Sequence, residues 1–480
     1  MLQTSGAFKE NAANAMADAG LQRALTRARP QFAKKRQAAV DRLPEFEALR
    51  EEAKNIKNHA IANLDFYLET YAANVEKAGG TVHWCATAED ACKAVLAIAT
   101  KAGAKTVTKG KSMVTEEIGL NDYLEANGVT PVETDLAEYI LQLRHEPPSH
   151  IIGPAFHLNR EDWEETFRKS HTNLPADRVF RDARDIQSEA RLQLREKFLA
   201  ADMGITGANF LIAETGSSVI VTNEGNGDLT QTLPRVHVVV TSIEKVVPTI
   251  EDTLSLLRVL ARSATGQDMS VYTTFSTGAR RVGDPDGPEE YHVVLVDNGR
   301  SGMVGTEFQD MLRCIRCAAC MNHCPVYGVV GGHAYGSTYP GPMGAVLTPM
   351  LVGVNEAGHL PNASTFCGKC ESVCPVKIPL PGLMRHWRER EFERHLAPST
   401  MRSGLGLWAW FARRPGLYRL STRAAALGLG WLGRRSGNLS PRLPFIGAWT
   451  KGRDFPAPEG DTFFARYAAA QRARNKGDRP

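Results

Sequence analysis

The stretch of this sequence that decides its fold is CIRCAACMNHCP, which runs from Cys314 to Pro325. Its cysteines follow the spacing C-x2-C-x2-C-x3-C-P. In this spacing the first three thiolates wrap corners of one iron-sulfur cube, and the fourth ligates another cluster. The proline can start a helix at its first position, which directs the fourth sulfur away from the other three. The spacing therefore predicts iron-sulfur ligation.

A second cysteine group, CGKCESVCP, runs from Cys367 to Pro375. The last cysteine of each group is expected to serve the other group's cluster, which predicts a [4Fe-4S] cluster on four cysteines and a second, [4Fe-4S] or [3Fe-4S], on three. The first set is Cys314, Cys317, Cys320 and Cys374, and the second set is Cys324, Cys367 and Cys370. The alternative is zinc, which also binds CxxC pairs in sets of four thiolates and would leave the protein colourless.

Two cubes need eight ligands, so seven cysteines leave one corner unassigned. Ser364 stands where a repeat of the first spacing would place the eighth cysteine. Three explanations stay open: a serine or other oxygen ligand, a three-iron cluster, or an iron open to water, substrate or a partner residue. An atypical ligand would tune the cluster potential. An open iron would instead act as a Lewis acid on a hydroxyacid.

The composition is that of a globular protein with several domains. The chain has 480 residues, of which 43% are hydrophobic and 23% are charged, and this balance excludes wholesale disorder. The first twenty residues do not form a signal peptide pattern, and the apolar stretches of the tail are shorter than the roughly 20 residues of a spanning helix. With metal-type cysteine spacings, this predicts a cytoplasmic protein without a transmembrane segment. Cys85 and Cys92 are predicted to be buried free thiols.

Changes in composition and in the pattern of apolar residues along the chain predict four regions. Residues 1–78 carry apolar side chains at helical intervals, which predicts a helical N-terminal arm. Residues 79–300 alternate β-type runs such as TVHWC, TVTKG, PVETD and HIIG with helical stretches, which predicts an α/β domain. Residues 305–382 hold the cysteines. Residues 383–480 are rich in arginine and tryptophan, with 19 Lys and Arg against 7 Asp and Glu from Arg385 onwards.

The C-terminal region combines tryptophans with arginines, a composition typical of protein interfaces. The tryptophans are Trp408, Trp410, Trp431 and Trp449. We expect the region to dock a partner protein. Peripheral contact with a membrane surface is the alternative. Nucleic-acid binding is not predicted, because no motif that reads nucleic acid is recognisable.

Loops of the α/β region form a candidate substrate pocket, because they combine charged side chains with flexible glycines. The candidate residues are Lys111, Ser112, Glu214, Asn223, Glu224 and Asn226. Ordinary turn chemistry is the alternative explanation. A G-x-G-x-x-G match at residues 428–433 lacks the preceding strand that a dinucleotide site needs. Since one-electron clusters cannot by themselves accept a hydride, the chain is predicted to relay electrons that a partner extracts.

Longer segments carry a resemblance to a known family. They are KSMVTEEIGLN from Lys111, VETDLAEYILQL from Val132, PSHIIGPAFH from Pro148, TGANFLIAETGSSVIVTNEGNGDL from Thr206, and CPVKIPLPG from Cys374. With these segments nearly the whole chain resembles the LutB or YkgF family, the iron-sulfur subunit of the bacterial L-lactate utilization system.

The resemblance implies an α/β lactate-utilization domain, similar in fold to sugar-phosphate isomerases and CoA transferases. It also implies an α-helical ferredoxin domain with two cubane clusters, between helical N- and C-terminal extensions. The implied role is electron transfer during oxidation of L-lactate to pyruvate, alongside two partner subunits. A second cysteine group of three is the family's own pattern. Two alternatives remain: the chain itself binds and oxidises a 2-hydroxy acid, or it is a redox-sensing regulatory protein.

Overall fold

The computed structural model describes residues 4–434, 439–440, 455–458 and 460–477. The chain forms two compact units, Met1–Arg394 and His395–Pro480. The finer division into four regions stays a prediction. Trp449, one of the tryptophans expected to dock a partner, lies outside the described residues. Among the described residues, no helix combines the length and the apolar character needed to cross a membrane.

The first unit is built on two sheets. Its described strands are β1 (Thr81–Cys85), β2 (Thr106–Lys109), β3 (Thr130–Glu133), β4 (Met203–Thr206), β5 (Phe210–Ile212), β6 (Ser217–Thr222), β7 (Val236–Ser242), β8 (Val246–Val247), β9 (Tyr272–Ser276) and β10 (Glu290–Val296). Six strands form a fully parallel sheet in the order β1-β10-β7-β4-β2-β3. The other four form a mixed sheet in the order β8-β5-β6-β9.

The described chain contains twenty α-helices in its first 434 residues. They are α1 (Phe8–Ala17), α2 (Ala19–Asp41), α3 (Phe46–Ala62), α4 (Leu64–Lys77), α5 (Ala88–Lys101), α6 (Met113–Ile118), α7 (Leu120–Ala126), α8 (Leu136–Arg144), α9 (Arg160–Ser170), α10 (Ala183–Ala200), α11 (Asn226–Thr232), α12 (Ile250–Ala264), α13 (Ala319–Asn322), α14 (Tyr327–Val330), α15 (Gly341–Val352), α16 (Val354–Ala357), α17 (Lys369–Ser372), α18 (Leu380–Glu393), α19 (Ser399–Ala412) and α20 (Pro415–Arg434). A further helix, α21 (Phe463–Gly477), and the strand pair β11 (Leu439–Ser440) and β12 (Phe455–Pro456) complete the second unit.

The parallel sheet is covered by helices on both faces, and the sequence of its central strands shows why. Successive side chains of a strand point to opposite faces. In β10, Val294 and Val296 belong to the core that includes α5, while Val293 and Leu295 belong to the core that includes α4. A strand buried on both faces reads as a continuous apolar run, as YHVVLV does here. The predicted α/β domain is therefore confirmed, and its larger sheet is parallel.

The cysteine region is helical, and its short helices surround one long apolar helix. In α15 every residue from Gly341 to Pro349 is buried, as expected for a helix that is apolar on all sides. The same hydrophobic core contains Phe46 and Leu49 of α3 together with Leu312 of the cysteine region. The N-terminal helix α3 therefore packs directly against the segment that leads into the first cysteine group.

One predicted β-type run is wrong. The HIIG stretch, residues 150–153, forms bends and not a strand. The imidazole Nδ1 of His150 accepts the backbone N–H groups of Ile152 and Gly153, at 3.1 and 3.0 Å. Because these donors are used locally, they are not available for a sheet ladder. The G-x-G-x-x-G match at residues 428–433 lies within helix α20.

Candidate iron-sulfur sites and an acidic cavity

Four of the predicted ligands line one small cavity, although they come from two separate stretches of the chain. They are Cys314, Cys317, Cys320 and Cys374. Apolar side chains, among them Ile151, Met343 and Val376, form the rest of its wall. This set of thiols is the one that the spacing assigned to the first cluster. Whether they ligate iron stays a prediction, but the donor set suits the group.

The other three cysteines form a second neighbourhood. Burial raises the pKa of Cys324, and the charge of Cys367 raises it further. Burial and the charges of Cys324 and Cys367 likewise raise the pKa of Cys370. Cys324 and Cys370 are buried, whereas Cys367 is exposed. The second set of thiols therefore reaches the protein surface, whereas three of the four thiols of the first set are buried and the fourth, Cys314, is half-buried.

The loop of the first cysteine group has an unusual backbone. Arg316 and Ala318 both have φ of 59°, in the left-handed region that side chains other than glycine rarely adopt. Such residues gather at functional sites, where surrounding contacts hold them. Here the guanidinium of Arg316 pairs with Glu244 (Nη2–Oε1 3.1 Å) and lies over the ring of Tyr339, 4.7 Å from its centroid. These contacts hold the turn that brings the three thiols to one cavity.

Backbone amides donate hydrogen bonds to the last sulfur of each cysteine group. The N–H of Tyr327 points to Cys324 Sγ at 3.5 Å, and the N–H of Ile378 points to Cys374 Sγ at 3.4 Å. Both amides follow a Cys-Pro pair. Hydrogen bonds to sulfur stabilise its negative charge and are one means by which proteins set cluster potentials.

The electrostatics of the thiols favour a bound cation. Burial raises the pKa of Cys374 to about 11 and, with the charge of Cys324, that of Cys370 to about 12. Deprotonating several buried thiols together is unfavourable unless a positive ion compensates them. Cys367 is the exception, because the backbone amide of Lys369 lowers its pKa. The residues therefore fit an iron-sulfur cluster.

Buried basic side chains lie close to the first set of thiols. Arg50 donates two hydrogen bonds to the carbonyl oxygen of Cys374, at 3.0 Å from Nε and 2.7 Å from Nη2. Arg36 donates to the carbonyl of Val373 at 3.0 Å. Lys57 is also buried, and burial lowers its pKa to about 8 against the opposing charges of Glu244 and Cys314. Sequence reasoning missed these residues, because no pattern links the N-terminal helices to the cysteines.

Ser364, which stands at the position of the missing eighth cysteine, takes part in a local turn. Its Oγ accepts the backbone N–H of Phe366 at 3.1 Å. The side chain that hydrogen-bonds the thiol of Cys367 is Thr365. The eighth ligand therefore stays open between the explanations given above.

Three of the six candidate pocket residues lie near the carboxyl end of β2. Ser112 begins α6, where its side chain accepts the N–H of Thr115. The Nζ of Lys111 donates to the carbonyl of Ile152. Burial, with the charge of Asp135, raises the pKa of Glu224, and Lys111 opposes this rise. Lys111 and Glu224 are therefore electrostatic neighbours.

Of the other three candidates, Glu214 and Asn223 serve separate loops, whereas Asn226 contacts Thr134, whose hydroxyl donates to the carbonyl of Lys109 at the end of β2. Glu214 accepts the N–H of Ile250 at the start of α12. Asn223 accepts the N–H of Val271. Asn226 points to the hydroxyl of Thr134 at 3.4 Å. A shared role for all six in substrate binding stays a prediction.

A cavity of about 860 Å³ lies at another place on the carboxyl edge of the parallel sheet. It is bounded by α1, α7, α8 and the segment of residues 330–338, and none of the six candidate residues lines it. Its wall carries Glu116, Glu133 and Glu138. Glu133 ends β3, and ligands of α/β proteins bind at the carboxyl ends of strands, but Glu116 and Glu138 lie in the helices that follow.

Fold and thiols together define a protein in which an α/β domain is joined to a helical iron-sulfur domain. Comparison with known families gives the same division. Residues 68–296 match the LUD domain, residues 310–378 match the 4Fe-4S dicluster domain, and residues 384–472 match the C-terminal domain of lactate utilisation protein B.

Curated relatives extend the similarity over the whole chain. Lactate utilization protein B of Geobacillus thermodenitrificans is 45% identical and covers 93% of this chain and 92% of its own length. The protein of that name from Bacillus subtilis is 42% identical and covers 98% of each chain. The chain therefore belongs to the lactate utilization protein B family, which confirms the resemblance. A solved structure of a DUF162 family protein from Deinococcus radiodurans covers 48% of this chain and 98% of its own, at 15% identity and a TM-score of 0.26.

Proposed function

We propose that this chain is the iron-sulfur electron-transfer subunit of a cytoplasmic complex that oxidises L-lactate to pyruvate and allows growth on lactate. The observation that carries the proposal is the shared cavity of four thiols from two stretches of the chain, with a second set of three beside it. The match to a 4Fe-4S dicluster domain and the relatives' name, lactate utilization protein B, support it.

The proposed ligand sets are those that the spacing predicts. Oxidation of lactate to pyruvate releases two electrons and two protons, and iron-sulfur clusters supply one-electron transfer when bound. The two cysteine sets would hold two clusters, which would supply two one-electron acceptors for this electron pair, and the two protons would be released to water. The exposed thiol of Cys367 supports the proposal that the second site exchanges electrons with another protein. Arg36, Arg50 and Lys57 lie close to the first site, where positive charge favours the reduced state.

The two partner subunits are proposed to dock on the C-terminal unit. Helix α19 of this unit has no buried residue, and Trp408 is 60% exposed. Exposed tryptophan with arginine is typical of protein interfaces. Peripheral contact with a membrane remains the alternative occupant of this surface. The proposed relation of the LUD domain to sugar-phosphate isomerases and CoA transferases would be tested by an experimental structure.

The deciding experiment is a redox titration of the full chain, purified without air and followed by electron paramagnetic resonance, together with iron and sulfide analysis. We expect about seven or eight irons per chain and two distinct signals. Far fewer than six irons would contradict the proposal.

Addition of lactate separates the remaining roles. Bleaching that requires the partner subunits supports an electron carrier, whereas bleaching of this chain alone means that it oxidises the hydroxyacid itself. A redox sensor would show a third pattern, in which loss of the clusters changes the affinity for partners but leaves electron flow unchanged.

A further inference from the structure

A cluster of three carboxylates lies at the carboxyl edge of the parallel sheet. Glu116 comes from α6, Glu133 ends β3, and Glu138 lies in the first turn of α8. Each offers one oxygen, and these oxygens lie within 4.8 Å of one another. Strands β2 and β3 are parallel neighbours whose register pairs Lys109 with Glu133. The fold therefore brings together three carboxylates that lie up to 22 positions apart in the sequence.

Lys109 compensates only part of this negative charge. Its fully buried Nζ lies 2.8 Å from Glu133 Oε1, 3.0 Å from Glu116 Oε1 and 3.1 Å from Thr115 Oγ1. The contacts with Glu116 and Thr115 are hydrogen bonds, and the contact with Glu133 is an ion pair. No hydrogen bond joins Lys109 to Glu138. With the carboxylates ionised, one lysine leaves the cluster with two uncompensated negative charges.

The buried carboxylate of Glu138 indicates that the cluster binds a ligand. Its side chain is only 4% exposed, yet neither carboxylate oxygen has a hydrogen-bond partner among the described residues. The second oxygen of Glu133 and the amide oxygen of Asn121 are also without partners there. All three side chains line the 860 Å³ cavity. Since buried polar groups are nearly always satisfied, a group that is not part of the protein is expected to satisfy them.

We propose that Glu116, Glu133 and Glu138 bind a hard divalent cation of the Mg²⁺ or Mn²⁺ class. Such ions prefer carboxylate, carbonyl and water oxygens. Two positive charges would neutralise the cluster with Lys109 in place. Asn121, which donates to Glu133 at 2.7 Å, offers a further oxygen beside the three carboxylates.

The proposed ion is distinct from the iron of the clusters. No cysteine is among the described residues that form the wall of this cavity, and an oxygen donor set disfavours the softer metals that thiolates select. The volume next to the carboxylates leaves room for metal-bound water or for the oxygens of a small ligand. The LUD domain would thus carry a metal site of its own, independent of electron transfer.

The test is a titration of the full, cluster-loaded chain with Mn²⁺ after removal of bound metal by a chelator and gel filtration. Free Mn²⁺ gives a six-line resonance at room temperature, where the fast-relaxing clusters are silent. We expect one bound Mn²⁺ per chain, displaced by Mg²⁺. Glu138→Gln keeps the shape of the side chain and should weaken binding by about tenfold or more. Glu125→Gln alters an exposed carboxylate of the same cavity wall and should leave the affinity unchanged.

Thermal unfolding provides the second readout. Mn²⁺ should raise the midpoint of the unmodified chain and of Glu125→Gln, but not that of Glu138→Gln, because a ligand stabilises only the state that binds it. If Glu138→Gln does not fold, Glu116→Gln, at a half-buried position, takes its place. The proposal is overturned if the unmodified chain binds no stoichiometric Mn²⁺, or if the carboxylate variants bind it as tightly as the unmodified chain does. Either result leaves the electron-transfer proposal intact, because the clusters use other residues.

Discussion

Tyr339 donates its hydroxyl hydrogen to the carboxylate of Glu117 across 2.6 Å, although the two residues are 222 positions apart. Glu117 lies in α6 of the α/β region, and Tyr339 precedes α15 of the cysteine region. The same carboxylate accepts from Arg300, with Nη1 and Oε1 2.9 Å apart. All three side chains are buried. A buried polar network therefore fastens the iron-sulfur region to the α/β region.

Glu117→Gln is expected to destabilise the chain by about 3 kcal/mol. The change leaves the buried Arg300 with Glu244 as its remaining carboxylate partner, at 3.0 Å. Removing one member of a buried ion pair costs several kcal/mol, because the other charge remains out of water. Urea unfolding, followed by circular dichroism, measures the change. Glu76→Gln alters an exposed carboxylate and should shift the free energy of unfolding by less than about 0.5 kcal/mol.

Cys370→Ser and Cys374→Ser should affect different clusters, although the two positions are four residues apart. Cys374 lines the cavity of the first cysteine set, whereas Cys370 neighbours Cys324 and Cys367. We expect Cys374→Ser to alter the resonance of the first cluster and Cys370→Ser that of the second, each in the reduced protein. Cys92→Ser, at a buried thiol outside both sets, should leave both signals unchanged. Loss of the same signal in both ligand variants would refute the interleaved assignment.

The spacing of the cysteines groups together the four thiols that line one cavity, because ligand geometry around a cluster restricts the sequence directly, and ligation of iron by the seven cysteines stays a prediction. The strands TVHWC and YHVVLV were also predictable, since burial of one or both faces of a strand determines which of its positions are apolar. The buried positions of Cys85 and Cys92 agree with the prediction as well. The strands depend on residues that are close in the sequence, whereas the two cysteine groups lie apart and are linked only by the ligand pattern of two-cluster sites.

Contacts between distant residues were not predictable from one sequence. Arg50 lies 324 positions from the carbonyl of Cys374 that it binds, and nothing near Arg50 distinguishes it from a solvated arginine. The acidic cluster was missed for a related reason. Each of Glu116, Glu133 and Glu138 is unremarkable in its own segment, and only the register of β2 with β3 and the start of α8 bring them together.

Trp408→Ser should weaken the binding of partner subunits by about 30-fold while leaving the stability of the chain unchanged. Tryptophan at the centre of an interface commonly contributes about 2 kcal/mol or more. An exposed side chain contributes little to folding. Calorimetric titration of purified partner subunits into the chain gives the affinity. Trp84→Ser removes a tryptophan of similar exposure, 55%, from the first unit and serves as the control; equal losses in both variants would argue against docking on the C-terminal unit.

Lys57→Met should lower the reduction potential of the first cluster and leave that of the second nearly unchanged. Lys57 is buried in α3, where Cys314 is among the charges that act on it, and its lowered pKa of about 8 still leaves it mostly charged at pH 7. A reduced cluster carries one more negative charge than an oxidised one, so a nearby cation stabilises the reduced state. At about 8 Å and an effective dielectric constant of about 20, one charge contributes about 2 kcal/mol, or about 90 mV for a one-electron couple.

The measurement for Lys57→Met is the same redox titration by electron paramagnetic resonance, with Lys54→Met as the matched control. Lys54 lies on the same helix but is partly exposed and paired with Glu51, so solvent screens its charge and the shift should be small. A potential that rises in Lys57→Met, or falls equally in both variants, would mean that the buried lysine does not act on the cluster through its charge. A fall confined to Lys57→Met identifies α3, more than 250 residues from the cysteines in sequence, as part of the electrostatic environment that sets the potential.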